Sequence, residues 1–297
     1  MSQRGGSCRR VVPPAVTPTR TAGAAGPPAR VIRIGPTVLL ALGAISLGAC
    51  APSRLNLPVD PGTPLADAAA IHLQVSDACR GVRTLTAVLR LSGRAGEEGV
   101  RGTVHAGFRR PGSMRLEGEA PFGAPAFVLA ATGTEATLVL PRDRRVVRGA
   151  QAADILGALT GVELDPADLL AILTGCVVPE PRASGGRLHD GGMASIDLES
   201  GARLYLQRAG DGWRVRAARR GAWQVEYPEW PEGALFPRRV QLHADTPIRV
   251  DLRADVSQVQ TNQALDDETF VARVPPDAGP LSLEELRRAG PLREAGP

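Results

Sequence analysis

Between residues 248 and 256 the chain alternates without a break. Ile248, Val250, Leu252, Ala254 and Val256 fall on one side, and Arg249, Asp251, Arg253 and Asp255 on the other. Neighbouring side chains of a strand point to opposite faces, so a strict period of two predicts a strand with one buried and one wet face. The pattern recurs upstream. Leu85, Ala87, Leu89 and Leu91 share a face; Val100, Gly102, Val104, Ala106 and Phe108 oppose Arg101, Thr103 and His105; Met114, Leu116 and Gly118 oppose Arg115, Glu117 and Glu119. "PAFVLAATG", "ATLVLP" and "RRVVRG" continue the series, with turn chemistry at Gly96 to Gly99, Pro111-Gly112, Gly133 and Pro141 to Asp143. This predicts an antiparallel meander with one apolar face.

The alternation stops at residues 150–175, where "AQAADILGALTG" and "DPADLLAILTG" predict two short helices. Asp165 is placed to cap the second, Pro166 to open it and Gly175 to end it. A loop, "PEPRASGGR", follows, and then "ASIDLES", "ARLYLQ", "GWRVRAA", "AWQVEYP" and the hairpin "PRRVQLHADTPIRVDLRADVSQV". A helix is expected over 64–80 and a short one in "LSLEELRRAG", near a frayed C-terminus. About eleven or twelve strands with helices at the start and middle read as one mainly β (α+β) domain, helices covering the apolar face of a large antiparallel sheet.

Ahead of this domain the composition changes. Residues 1–49 carry six arginines and no acid, whereas from Cys50 onward 29 arginines meet 31 acids, a net of −2. The basic balance of the whole chain belongs to its leader, so nucleic acid is not implied as a partner. Residues 1–33 are Pro/Gly-rich and aperiodic, and Ile34 to Ala49 is uncharged but shorter than a membrane span and broken by Gly35, Pro36, Gly43 and Gly48. Basic flank, short apolar run and small residues at its end make a secretory signal. Leu47-Gly48-Ala49-Cys50 resembles the bacterial lipobox, which implies cleavage before Cys50 and acylation of its thiol and new amino group. Two or more acyl chains anchor stably. Val31 is an alternative start that would give a compact signal. The organisation expected is a signal with extended leader over 1–49, a lipid-anchored tether over 50–63, the domain over 64–276 and a tail over 277–297. In proteins with this lipobox an aspartate after the cysteine often marks inner-membrane retention, so with Ala51 there the resemblance implies the outer membrane, facing the periplasm. Cys79 and Cys176 are either a disulfide, which an exported chain permits, or two buried thiols.

No nucleophile elbow, zinc-protease helix, phosphate loop or dinucleotide fingerprint is present, so no enzyme activity, cofactor or metal is expected. His105, His189 and His243 fall on wet faces or loops and His72 on the first helix, which reads as ordinary surface. Ten aromatics are too few for a stacking platform. What remains is the apolar face. If helices pack tightly on it, it is plain core; if the sheet curls, they become a lid over a cavity suited to acyl chains, which need apolar area and no hydrogen bonds. Residues that would line it are Leu89, Leu91, Val104, Phe108, Met114, Leu116, Phe127, Leu129, Leu138, Leu140, Val250 and Leu252. Phe122, in the turn-like "PFGAPAF", either folds back onto the core or protrudes toward a membrane or partner.

Several stretches together, "LRLSGR", "FRRPGSMRLEGEAPFGAP", "ADLLAILTG" and "VSQVQTNQALDDETFVARVP", resemble the LolA/LolB superfamily of lipoprotein-localisation factors and the related LppX/LprG-type lipid-binding lipoproteins, over roughly residues 65–276. The resemblance implies an unclosed antiparallel half-barrel with a helical lid and an acyl-chain cavity. With a lipobox it implies a LolB-like role: an outer-membrane lipoprotein that takes lipoproteins from a periplasmic carrier and inserts them, with Phe122 nearest in position to the loop residue that assists insertion. A general lipid or glycolipid carrier, and a structural lipoprotein with a filled core, are the alternatives.

Overall fold

The computed structural model describes residues 54–120, 123, 125–176 and 182–289. Cys50, Phe122 and the expected signal lie outside the described residues. An extended segment over 54–62 leads to β1 (Thr63–Pro64) and α1 (Ala68–Arg80). A meander follows: β2 (Thr84–Ala95), β3 (Glu98–Arg109), β4 (Ser113–Gly118), β5 (Phe127–Thr132), β6 (Glu135–Leu140) and β7 (Arg145–Ala150). The two helices α2 (Ala152–Thr160) and α3 (Pro166–Thr174) separate it from a second one. That comprises β8 (Ala183–Leu188), β9 (Ala194–Leu198), β10 (Arg203–Ala209), β11 (Gly212–Arg220), β12 (Trp223–Glu229), β13 (Arg239–Ala244) and β14 (Val250–Thr261). β15 (Gly279–Pro280) and α4 (Leu283–Ala289) complete the chain's described part.

The fifteen strands among the described residues form one sheet, in the order β1-β8-β9-β10-β11-β12-β13-β14-β2-β3-β4-β5-β6-β7-β15. Every pairing is antiparallel except that of β15 with β7. The edge strands β1 and β15 do not pair with each other, so the sheet is not closed into a barrel. The two meanders meet where β14 pairs with β2, from Val250↔Ala95 to Thr261↔Leu85. Their apolar faces form one continuous core with α2 and α3, including Leu85, Phe108, Leu129, Ile155, Ile172, Val225 and Tyr227.

Sequence periodicity undercounts the strands for a physical reason. β1 and β15 are two residues each, too short to show a period. β8 includes "ASGG", which reads as loop, yet its backbone pairs with β9. Gly186 is needed there because a Cβ would meet Ala68 of α1 and the carbonyl of Ser195. The α3 signals act as expected: the Asp165 carboxylate accepts from the Asp168 N–H at 2.7 Å, Pro166 opens the helix and Gly175 ends it at φ +84°.

Two segments cover the outer face. On one half, Ala272, Val274 and Ala278 pack over Val128, Val139 and Val146; β15 then pairs with the β7 edge, and Leu286 of α4 is buried in the main core. The stretch read as a tail therefore packs as part of the fold up to Ala289. On the other half, the segment 54–62 crosses the strands. The Leu55 N–H donates to Glu226 Oε2 at 2.9 Å, Arg54 pairs with Asp245 at 3.2 Å, and Asp60 meets His189 at 3.1 Å. This corrects the expectation of surface histidines. His105 is exposed, but His243 is 2% exposed, flanked by Glu226 and Asp251, and the His72 and His189 side chains are also buried. Alternation placed His189 and His243 on wet faces; it could not reveal that the chain's own tether lies across that face.

Gly93 controls how closely the meanders meet. It sits at φ +140°, paired with Leu252, and a Cβ there would collide with the Asp251 carbonyl. Gly93→Ala is expected to cost about 2–4 kcal/mol, through backbone strain plus loss of ladder bonds, and chemical denaturation of the variant measures it.

Candidate functional site

Between the inner face of the sheet and the two central helices lies an apolar cavity of about 170 Å³. The wall comes from β2, β3, β4, β5, β13 and β14. The roof comes from Leu156, Leu159 and Thr160 of α2, Leu164 of the connecting loop, and Leu169, Ile172 and Leu173 of α3. Among the described residues, Thr160 and Arg253 are its only polar lining residues. Neither offers a free group: the Thr160 hydroxyl donates to Leu156 O at 2.8 Å, and the Arg253 guanidinium is held by Asp255 at 2.9 Å. A molecule here finds contact area and no hydrogen-bond partner, the condition hydrocarbon meets without a desolvation cost.

Of the twelve residues expected along such a cavity, Leu89, Leu91, Val104, Phe108, Leu116, Phe127, Leu129 and Leu252 line it. Met114, Leu138 and Val250 are on the same apolar face but fully buried in core away from it, and Leu140 packs partly buried at the core's margin. Alternation reports which face a residue occupies, and these four differ only in position along that face. The roof residues of α2 and α3, with Val240 and Leu242 of β13, were missing from the sequence-based set. The signal was present: "ADLLAILT" is apolar on nearly every side, and a helix of that kind is covered on more than one face.

The roof is fastened at both ends. At its start, Asp168 of α3 pairs with Arg220 at 2.7 Å, its side chain 9% exposed. Burial, then repulsion from Asp165, raises the Asp168 pKa, against the pull of Arg220. At its end, the Tyr227 hydroxyl donates to Ile172 O at 3.1 Å. Burial pushes that phenol well above its ordinary value, so it stays a donor. One turn further, the structure pairs Cys176 with Cys79 at the end of α1, their Cα atoms 6.1 Å apart. α2 is held differently, by α4 through buried Leu286.

Size decides what this state can hold. An apolar void of roughly 150 Å³ stays dry and admits a benzene-sized molecule, while ligand pockets usually run to about 300–1,000 Å³. At about 170 Å³ the cavity has room for only a short piece of hydrocarbon. A second, more polar groove of about 620 Å³ adjoins it and shares Leu159. That groove lies among the α2–α3 loop, Gly221-Ala222, Thr246 to Ile248 and Arg287. This groove is the mouth of the cavity; Arg220, the partner of Asp168, lines it, and the Cys79–Cys176 pair is at the far end of α3.

The chain is similar to several solved structures. One is a DUF1329 family protein from Desulfovibrio piger, at 10% identity and TM-score 0.47, with 70% of this chain and 97% of that one covered. A second is a LolA superfamily protein from Nitrosomonas europaea, at 12% identity and TM-score 0.47, covering 69% and 97%. A third is the Mycobacterium tuberculosis lipoprotein LppX, at 14% identity and TM-score 0.30, covering 67% and 97%. No protein-family model matches the chain, and no curated protein sequence does.

The raised pKa of Asp168 has a definite sign. The folded state keeps this proton to higher pH than the unfolded chain does, so its share of stability falls as pH rises from the ordinary 3.8 through the folded value, then levels. Asp168→Asn is expected to remove that fall, seen by denaturant titrations of both proteins from acid to neutral pH.

Proposed function

We propose that this protein is a lipid-anchored periplasmic protein, tethered to the outer membrane through acylated Cys50, that shields acyl chains in the cavity beneath α2 and α3. Its ligands are the acyl chains of lipoproteins received from a periplasmic carrier and passed into the outer membrane. The observation that carries the reading is a cavity lined by apolar side chains apart from Thr160 and Arg253, whose polar groups are already hydrogen-bonded, roofed by the apolar undersides of two helices. The chain works by differential solvation: hydrocarbon is transferred from water to the cavity and from the cavity to the bilayer, with no covalent step.

Native mass spectrometry of the gently purified protein tests this. Co-purified lipid or lipopeptide is the expected result; an empty protein that also fails to bind a hydrophobic fluorophore assigns the cavity to packing. Leu159 lies between the cavity and the groove, 4% exposed. Leu159→Trp is expected to reduce fluorophore uptake at least tenfold while the fold, monitored by circular dichroism, is kept. Depletion in cells separates the receptor from a general lipid carrier: with a receptor lost, outer-membrane lipoproteins accumulate elsewhere.

Phe122 belongs to the connection between β4 and β5 and is assigned the insertion step. Phe122→Glu is expected to impair transfer of a lipoprotein to vesicles and to leave thermal stability unchanged. A large drop in melting temperature would make it a core residue instead.

A further inference from the structure

We infer that the mouth end of the half-barrel, where the α2–α3 loop meets the β13–β14 loop, is the end that faces the membrane. The inference rests on the lipid-anchor reading of Cys50 and adds an orientation that the reading alone does not contain. Its basis is the path of the segment 54–62. Asp60 is fixed at the end of β8 by His189, and Thr63 pairs with Leu188. From there, traced backwards, the segment crosses the outer face to Leu55 on the Glu226 carboxylate and ends with Arg54 on Asp245. Asp245 directly precedes Thr246, Pro247 and Ile248, which line the mouth groove. The first described residue is therefore held at the mouth, by contacts that are independent of the cavity.

The covalent reach is short. Four peptide steps separate Cys50 from Arg54, at most about 14 Å of chain. That is too little for an anchor at Cys50 to place the membrane at the opposite end, which carries the Cys79–Cys176 pair and the β12–β13 loop with Leu235. The rim has chemistry that suits a bilayer surface with anionic lipid. Ile248 is an exposed large apolar residue there, beside Pro247, and Arg249 and Arg287 are exposed, with Glu163 the acid lining the groove. A chain released at this mouth would then move from cavity to bilayer without crossing bulk water.

The test uses the full lipidated chain in vesicles of phosphatidylethanolamine and phosphatidylglycerol with brominated acyl chains. A fluorophore is placed at the mouth through Ala222→Cys or at the opposite end through Leu235→Cys; both parent residues are exposed. Severalfold stronger quenching at position 222 than at 235 is expected. Equal quenching, or stronger quenching at 235, overturns the orientation. Intact mass keeps the two failures apart: a chain acylated at Cys50 that floats with vesicles without bias refutes the orientation alone. A chain with no acyl mass that does not float refutes the anchor, and the orientation with it.

Discussion

The pairing of β14 with β2 is the contact on which the architecture depends. Each meander pairs strands that are neighbours in sequence. The junction joins strands whose midpoints lie far apart along the chain, and it alone makes two sheets into one. The cavity straddles it: Leu89 and Leu91 come from one side, Leu252 and Ala254 from the other. Long-range pairing of this kind is entropically expensive to nucleate. Twelve-residue partners on both sides of the junction repay it with a long ladder, and Gly93 removes the side chain that would hold the backbones apart.

Much of this fold was legible because alternation is a local property. The faces of β2, β3, β4 and β14 follow from their residues, as do the cap, opening proline and glycine stop of α3. β8 was hidden because its glycines erase the pattern while serving close packing against α1. The burial of His243 was hidden because it depends on a segment almost two hundred residues earlier lying across its strand. Eight of the twelve expected lining residues face the cavity, and the other four fail for one reason. A strand pattern specifies up or down, whereas a cavity has extent along the strand, fixed by where the roof helices rest.

The acyl-chain reading gains most from what the lining lacks. Plain core and lipid cavity share residue types, and both tolerate few polar groups. The distinguishing feature is unfilled volume beneath two helices whose attachments differ in strength. α3 is tied covalently at one end and by a reluctantly ionised carboxylate at the other, and α2 leans on the short α4. The two roof helices are thus attached by contacts of different kinds, covalent, ionic and apolar.

The Cys79–Cys176 pair encloses a span of 97 residues in sequence, from the end of α1 to the end of α3. Inside that ring lie the whole first meander and both roof helices. An unclosed barrel with a helical cover is open to a particular error, in which two molecules trade covers and lock together. Closing wall and cover into one covalent loop forbids that exchange, since neither can leave without the other. The bond thereby preserves a one-to-one match of container and cover.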